Sequence, residues 1–435
     1  MKQKNQKQIL AKLGITELNA MQEEAQLAIH SSTEVVLLSP TGTGKTLAFL
    51  LPLMAELDAE ATESTQAMIV APSRELAIQI EQVAREMGTG HKVNVVYGGR
   101  HFSKDRQELA TAPTLIIGTP GRLADHLRRG TVSGTSVATL VLDEFDKSLE
   151  VGFEDEMKEI VAALPSLKKK VLTSATSGVE VPKFMDLAAP VMIDHLTDGV
   201  AKLQLRNIIS PSKDKLQTLM EALCHLGGGP GIVFCNYKDS IRRVSDYLLE
   251  HGIAHGTFYG GMEQKERERA LIKFRNGSHQ LLVATDLAAR GLDIPEIKFI
   301  IHYHLPHREE EFVHRNGRTA RMHKEGTAYV LHWDGEDLPD FIHTDRQEFL
   351  APAPIPKPPH WVTLFISGGR QDKISKGDIA GSLIKVCKLA PEAVGTIELK
   401  QDCAFVAVSK AAAKQAVEKL NNQKIKKRKV RVYEV

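Results

Sequence analysis

Eight consecutive residues, Ser39-Pro40-Thr41-Gly42-Thr43-Gly44-Lys45-Thr46, join an apolar run to a helix-forming stretch. Gly42 and Gly44 permit a turn whose backbone N–H groups point inward at phosphate oxygens, on the N-terminus of the following helix. Thr41 and Thr43 belong to the same loop, Lys45 adds a positive charge, and the Thr46 hydroxyl is a candidate Mg²⁺ ligand. A bare glycine turn would need only the glycines; strand, loop, lysine-threonine and helix in this order indicate a nucleoside triphosphate site. A second group, Asp143-Glu144-Phe145-Asp146, follows the apolar run Leu140-Val141-Leu142. Asp143 would hold Mg²⁺ through water, and Glu144 would orient and deprotonate an attacking water. Acids also favour helix N-termini for the dipole alone, but here they follow a phosphate loop in what reads as the same sheet. The third group, His314-Arg315-Asn316-Gly317-Arg318-Thr319-Ala320-Arg321, lies far downstream. Its Arg318 and Arg321 suit the neutralisation of a γ-phosphate from a second domain, so the site would be complete only when two domains close.

The elements that must position these groups are legible as a repeat. Short apolar runs at 35–38, 67–70, 93–96, 114–117, 140–142 and 171–172 alternate with helical stretches. Runs of this kind predict strands of a parallel sheet buried on both faces. The pattern returns at 232–234, 254–259, 281–284, 299–301 and 328–330. In such sheets ligands bind beyond the carboxyl ends of the strands, and each motif above follows one. A proline-rich stretch, Leu350-Ala351-Pro352-Ala353-Pro354-Ile355-Pro356-Lys357-Pro358-Pro359, cannot join a sheet or helix and reads as a stiff linker. Beyond it, strands at 362–366, 396–399, 404–408 and 429–433 and helices at 378–389 and 410–420 give a βαββαβ order. The predicted fold class is α/β: two tandem RecA-like doubly wound domains, 1–198 and 199–347, a linker 348–360, and a small α+β RRM-like domain, 361–435.

With 435 residues the chain is long enough for about three domains, and 42% apolar and 25% charged residues argue against disorder. The first residues are polar and basic, and no apolar run reaches the roughly 18 residues of a membrane span, so a cytoplasmic protein is expected. Four cysteines show no metal-ligand spacing, and 17 histidines, including His302, His304 and His307, form no helical ligand set. These read as buried thiols and structural histidines. Charge is uneven: 361–435 holds 15 Lys and Arg against 7 Asp and Glu, and the rest of the chain 41 against 47. A basic domain after an acidic body implies a polyanionic partner.

Taken together, these motifs resemble the DEAD-box RNA helicases over nearly the whole of 1–345, with Asp143-Glu144-Phe145-Asp146 in the place of the name-giving tetrapeptide. The resemblance implies ATP and Mg²⁺ as cofactors and RNA as partner. Gln22 resembles the glutamine that reads adenine. Pro72-Ser73-Arg74-Glu75-Leu76-Ala77, Gly98-Gly99 and Thr119-Pro120-Gly121-Arg122 resemble RNA-backbone motifs, implying contacts from Arg74, Gly99, Thr119 and Arg122. Ser174-Ala175-Thr176 resembles the segment that couples hydrolysis to RNA binding, with Asp146 and His314 as coupling partners. Gln264 and Arg267 resemble a strand contact; Thr285 is matched to RNA phosphate and Asp293 to the ATP ribose, and Arg318 and Arg321 are matched to the finger arginines. Three positions depart from the pattern. No aromatic precedes Gln22, so weaker base selectivity or weaker nucleotide affinity is expected; Phe145 replaces a small residue, and Ala320 replaces a glycine.

The tail resembles the C-terminal RNA-binding domain of the DbpA group through Thr363-Leu364-Phe365-Ile366, Gly368-Gly369, Lys373-Ile374, Gly377-Asp378-Ile379-Ala380-Gly381 and Ala404-Phe405-Val406-Ala407-Val408. That resemblance implies 23S ribosomal RNA and large-subunit maturation. From the residues alone, Phe365 and Phe405 could stack bases or pack a core. The basic run containing Lys426, Lys427 and Arg428 suits phosphates. The expected activity is local, non-processive unwinding of RNA by a monomer. The alternatives are a general RNA chaperone, a catalytically weak RNA-binding scaffold and a DNA translocase.

Overall fold

The computed structural model describes residues 6–61, 63–150, 152–176, 180–197, 203–286, 294, 297–319 and 326–435. The chain divides near Ala201 into two units. In the first, strands β1 (Glu34–Leu38), β2 (Ala67–Val70), β3 (Val93–Val96), β4 (Leu115–Gly118), β5 (Thr139–Leu142), β6 (Lys169–Ser174) and β7 (Val191–Asp194) form a sheet ordered β3-β4-β2-β5-β6-β1-β7. All its pairings are parallel. Because side chains alternate across a strand, Val35, Leu37 and Ile69 enter one core, while Val36, Met68 and Val70 enter the core on the opposite face.

The second unit repeats this plan with β8 (Leu203–Ser210), β9 (Gly231–Phe234), β10 (Gly256–Phe258), β11 (Leu281–Ala284), β12 (Phe299–His302), β13 (Gly326–Trp333) and β14 (Arg346–Gln347), ordered β10-β11-β9-β12-β13-β8-β14. It also carries β15 (Trp361–Ile366), β16 (Val394–Leu399), β17 (Ala404–Ser409) and β20 (Val432–Glu434), an antiparallel sheet ordered β16-β17-β15-β20, and a separate hairpin of β18 (Lys424–Ile425) and β19 (Arg428–Lys429). Two doubly wound parallel sheets followed by a small α+β sandwich agree with the predicted fold class. The edge strands β7 and β14, and β8 beside β14, had no counterpart in the sequence pattern. β7 buries one residue of four and β8 alternates buried with half-buried positions, so neither shows the continuous apolar run of a central strand.

Leu364, Ile366, Val406 and Val408 face the helices of the small domain and form its core. The opposite face packs in part on the second α/β domain. Arg275, the last residue of the helix Gln264–Arg275, donates two hydrogen bonds to the Glu398 carboxylate at 2.6 and 2.7 Å. Ser278 and Thr363 share a hydroxyl bond at 2.7 Å, and Lys400 pairs with Glu268 at 2.9 Å.

Candidate active site

β1 ends in the phosphate-loop residues. Gly42 and Gly44 take φ values of +86° and +88°, a region that L side chains disfavour. Gly44 also caps the helix Lys45–Glu56. A Cβ at Gly44 would lie 2.3 Å from Nε2 of Gln22, so the Gln22 amide would have to shift to admit one, while the positive φ itself calls for glycine. Gln22 sits in a capping box at the start of the helix Ala20–Ser31. Its amide oxygen accepts the Asn19 N–H at 3.1 Å, and its amide nitrogen donates to the Gly44 carbonyl at 3.2 Å. Asn19 donates to the Thr43 carbonyl at 3.0 Å, giving the loop a second anchor. Within the loop the Ser39 and Thr43 hydroxyls meet at 2.8 Å. Buried Lys45 donates to the carbonyls of Ser39 and, at 3.0 Å, Pro40. Thr41 belongs to the same loop, and Thr46 is the second residue of its helix.

The acidic pair leaves β5 beside this loop's own strand layer. Asp143 is buried, and desolvation raises its pKa; the Thr173 hydroxyl and the charge of Lys45 oppose that shift, and Asp146 adds to it. Glu144 has φ of +50°, a left-handed conformation that a non-glycine residue adopts only under constraint. Thr173, which the sequence reading did not single out, bonds both acids: its Oγ1 donates to Asp143 Oδ1 at 2.5 Å and accepts the Glu144 N–H at 3.2 Å. Asp146 is buried and accepts from the Thr176 hydroxyl at 3.0 Å, while its other oxygen has no partner among the described residues. Ser174 accepts the Thr176 N–H at 3.1 Å, so the coupling segment and Asp146 are physically joined. Phe145, 1% exposed, packs in the hydrophobic core with Leu142 and Leu172.

The first unit also gathers the basic residues matched to RNA. Arg74 opens the helix Arg74–Met87 and lies against Gly99, whose φ is +85° and whose Cβ, if present, would stand 2.6 Å from Arg74 Nη1. Thr119 caps the helix Pro120–Arg128. Arg122 donates from Nε to Asp105 at 2.8 Å and from Nη2 to the Arg100 carbonyl at 2.8 Å. Asp105 is fully buried, and burial alone would raise its pKa; hydrogen bonds from His126 and Arg122 and the charge of Arg100 outweigh this and lower it. Phe102 stacks on His126 at 4.7 Å and lies under the guanidinium groups of Arg122 and Arg129. Sequence reading found Arg122 but neither Asp105 nor Phe102, whose roles depend on which helix packs beside them.

In the second unit, buried Arg267 lies over the Phe258 ring, and the Thr285 N–H donates to the Phe258 carbonyl at 3.1 Å. Arg315, fully buried at the end of the helix Glu309–Asn316, is the hub of the finger segment. It donates to Asp286 at 2.5 and 2.9 Å, to the His304 carbonyl at 2.8 Å and to Asn236 at 2.8 Å. His314 and Arg318 flank it and are also buried. Asp293, Ala320 and Arg321 lie outside the described residues. His302 is fully buried, bonded through Nε2 to Asn316 at 3.0 Å. In the small domain, Phe365 packs against Phe405 at 5.5 Å and Tyr433 at 4.9 Å, an aromatic row across three strands. Lys426 pairs with Asp378 at 2.7 Å and Arg428 with Asp372 at 3.6 Å, while Lys427 is exposed.

Comparison with known proteins places the chain in a family. Residues 19–184 match the model of the DEAD/DEAH box helicases, 214–323 the helicase conserved C-terminal domain, and 363–434 the DbpA RNA binding domain. The chain is 33% identical over 437 residues to the ATP-dependent RNA helicase DbpA of Escherichia coli (strain K12), covering 97% of this chain and 95% of that protein. It is 29% identical over 459 residues to the DbpA of Bacillus subtilis (strain 168), with the same coverage of 97% and 95%. Among solved structures, S. cerevisiae Dbp5 bound to RNA and ADP BeF3 superposes with a TM-score of 0.67 at 28% identity, over 75% of this chain and 86% of that one. The chain is a DEAD-box ATP-dependent RNA helicase of the DbpA type, a family that hydrolyses ATP.

Proposed function

We propose that the chain separates short RNA duplexes locally and without processivity, directed by its tail to 23S ribosomal RNA in large-subunit precursors. In this reading Lys45 and the loop 41–46 hold the phosphates, Gln22 reads adenine and Asp293 the ribose. Glu144 orients and deprotonates the attacking water, and Arg318 and Arg321 neutralise charge from the second domain. Asp143 and Thr46 offer the hard oxygen donors that Mg²⁺ takes, and the buried Asp143 carboxylate is one whose charge a dication would offset. Mg²⁺ held there would neutralise charge on the phosphate oxygens. Arg74, Gly99, Thr119, Arg122, Arg267 and Thr285 carry the RNA backbone, and Ser174, Thr176, Asp146 and His314 couple the two ligands. Domains 1–198 and 199–347 form the motor, tethered through 348–360 to a basic module at 361–435 that raises the local concentration of its target.

The observation that carries the reading is the acidic pair at the end of β5, held by one hydroxyl and sensing the charge of Lys45. Glu144→Gln should abolish RNA-stimulated phosphate release while ATP and RNA binding persist; normal turnover would refute the base assignment. Removing 361–435 should erase the preference of RNA-stimulated ATPase for a 23S fragment over unstructured RNA. An unchanged preference would favour a general RNA chaperone. The core placement of Phe145 removes one sequence feature that had favoured a silent scaffold. No helix among the described residues is long and apolar enough to cross a membrane, and a cytoplasmic monomer is the proposed state.

A further inference from the structure

Asp143 and Thr173 are neighbours because of sheet order. Leu142 on β5 pairs with Leu172 on β6 in a parallel register, so the next residue along each strand lies beside the other. Thr173 is fully buried. A valine would fill the same volume and suit a strand equally well, so its packing does not require the hydroxyl. That hydroxyl makes two bonds of opposite sense. Its single proton goes to Asp143 Oδ1, and a lone pair receives the Glu144 N–H. The first bond pins the carboxylate; the second holds the backbone at the residue whose φ is +50°.

We propose that Thr173 is a positioning residue for hydrolysis, its hydroxyl fixing the Asp143 carboxylate and holding Glu144 in the left-handed conformation from which its side chain addresses water. The inference rests on the roles proposed above for Asp143 and Glu144. The bond to Asp143 is buried, so removing the hydroxyl takes a donor from a buried carboxylate, and it also deletes the bond that the Glu144 N–H makes to Thr173.

The test uses the full chain with Thr173→Val, which deletes the hydroxyl at constant shape, and Thr173→Ser, which keeps it. RNA-stimulated kcat and KM for ATP are measured together with the Mg²⁺ concentration at which ADP binding is half-maximally tightened. Thr173→Val is expected to lose about tenfold or more in kcat, the scale of an unsatisfied buried hydrogen bond, with KM within about twofold. Its Mg²⁺ midpoint is expected to rise several-fold, and Thr173→Ser to stay within about threefold of the natural protein in both readouts. If Thr173→Val does not fold, Thr173→Ala, which cannot overfill the site, takes its place with the same expectations. A kcat and Mg²⁺ midpoint unchanged without the hydroxyl, or an equal loss in Thr173→Ser, would overturn the proposal. Glu144→Gln measured in parallel separates the two levels. Normal turnover there overturns the underlying assignment, whereas a dead Glu144→Gln beside a fully active Thr173→Val overturns only the role of Thr173.

Discussion

Residue identity alone located the phosphate loop and the acidic pair, because each depends on chemistry that few side chains supply. Gly44 illustrates how tightly such a position is fixed: φ of +88° strains any residue with a Cβ, and a Cβ there would also displace the Gln22 amide. Glu144 is different, since the role proposed for it is set on a backbone conformation that a non-glycine residue does not favour. General-base catalysis typically contributes about 10²- to 10⁴-fold, so the Glu144→Gln loss should fall in that range with KM little changed. What the sequence could not display is which residue stabilises that conformation. Thr173 lies on the next strand, two helices downstream, and only the β5–β6 pairing makes it a neighbour. Asp105 and Arg315 escaped for the same reason: a buried charge reveals its purpose through the arginines or carbonyls packed around it.

At the scale of elements, central strands were legible and edges were not. β2, β4 and β9 bury every residue and so write an unbroken apolar run into the sequence, whereas β7, at a sheet edge, leaves three of its four residues exposed. The predicted strand at 429–433 proves to be two: β19 pairs with β18 in a basic hairpin, Val430 turns into the core, and β20 joins the main sheet. The predicted helix at 378–389 begins at Lys376 and continues past Gly381 as a wider π-type turn. The finger helix Glu309–Asn316 rests on a neutral histidine. Burial, reinforced by the charge of Arg315, holds His302 at about 3, below its ordinary value near 6.5. The unfolded chain therefore takes up this proton first as the pH falls, and the stability is complete above about 6.5 and lost progressively toward 3. Thermal unfolding should show a melting temperature that drops between about pH 7 and pH 5. His302→Gln, which can still donate to Asn316 and cannot titrate, should show a shallower drop, with His279 and His304 supplying the remainder. Equal slopes would contradict this origin.

For the whole molecule, the division between two units of the groups proposed to be catalytic is the feature with the largest consequence. The phosphate loop and the acids belong to the first unit, and Arg318 to the second, where Arg315 and the His302–Asn316 bond hold the helix that precedes it. The sheet of the small domain packs on the second α/β domain through Arg275–Glu398 and Thr363–Ser278, so the basic hairpin and the aromatic row are carried with that domain. The most direct measurement is RNA-stimulated phosphate release by the full chain and by Arg318→Ala, at saturating ATP and RNA. A finger arginine is worth about 10³- to 10⁵-fold in kcat, and a loss of that size with nucleotide binding retained is the expected result. Turnover by Arg318→Ala within about threefold of the natural protein would contradict a site completed by the second domain.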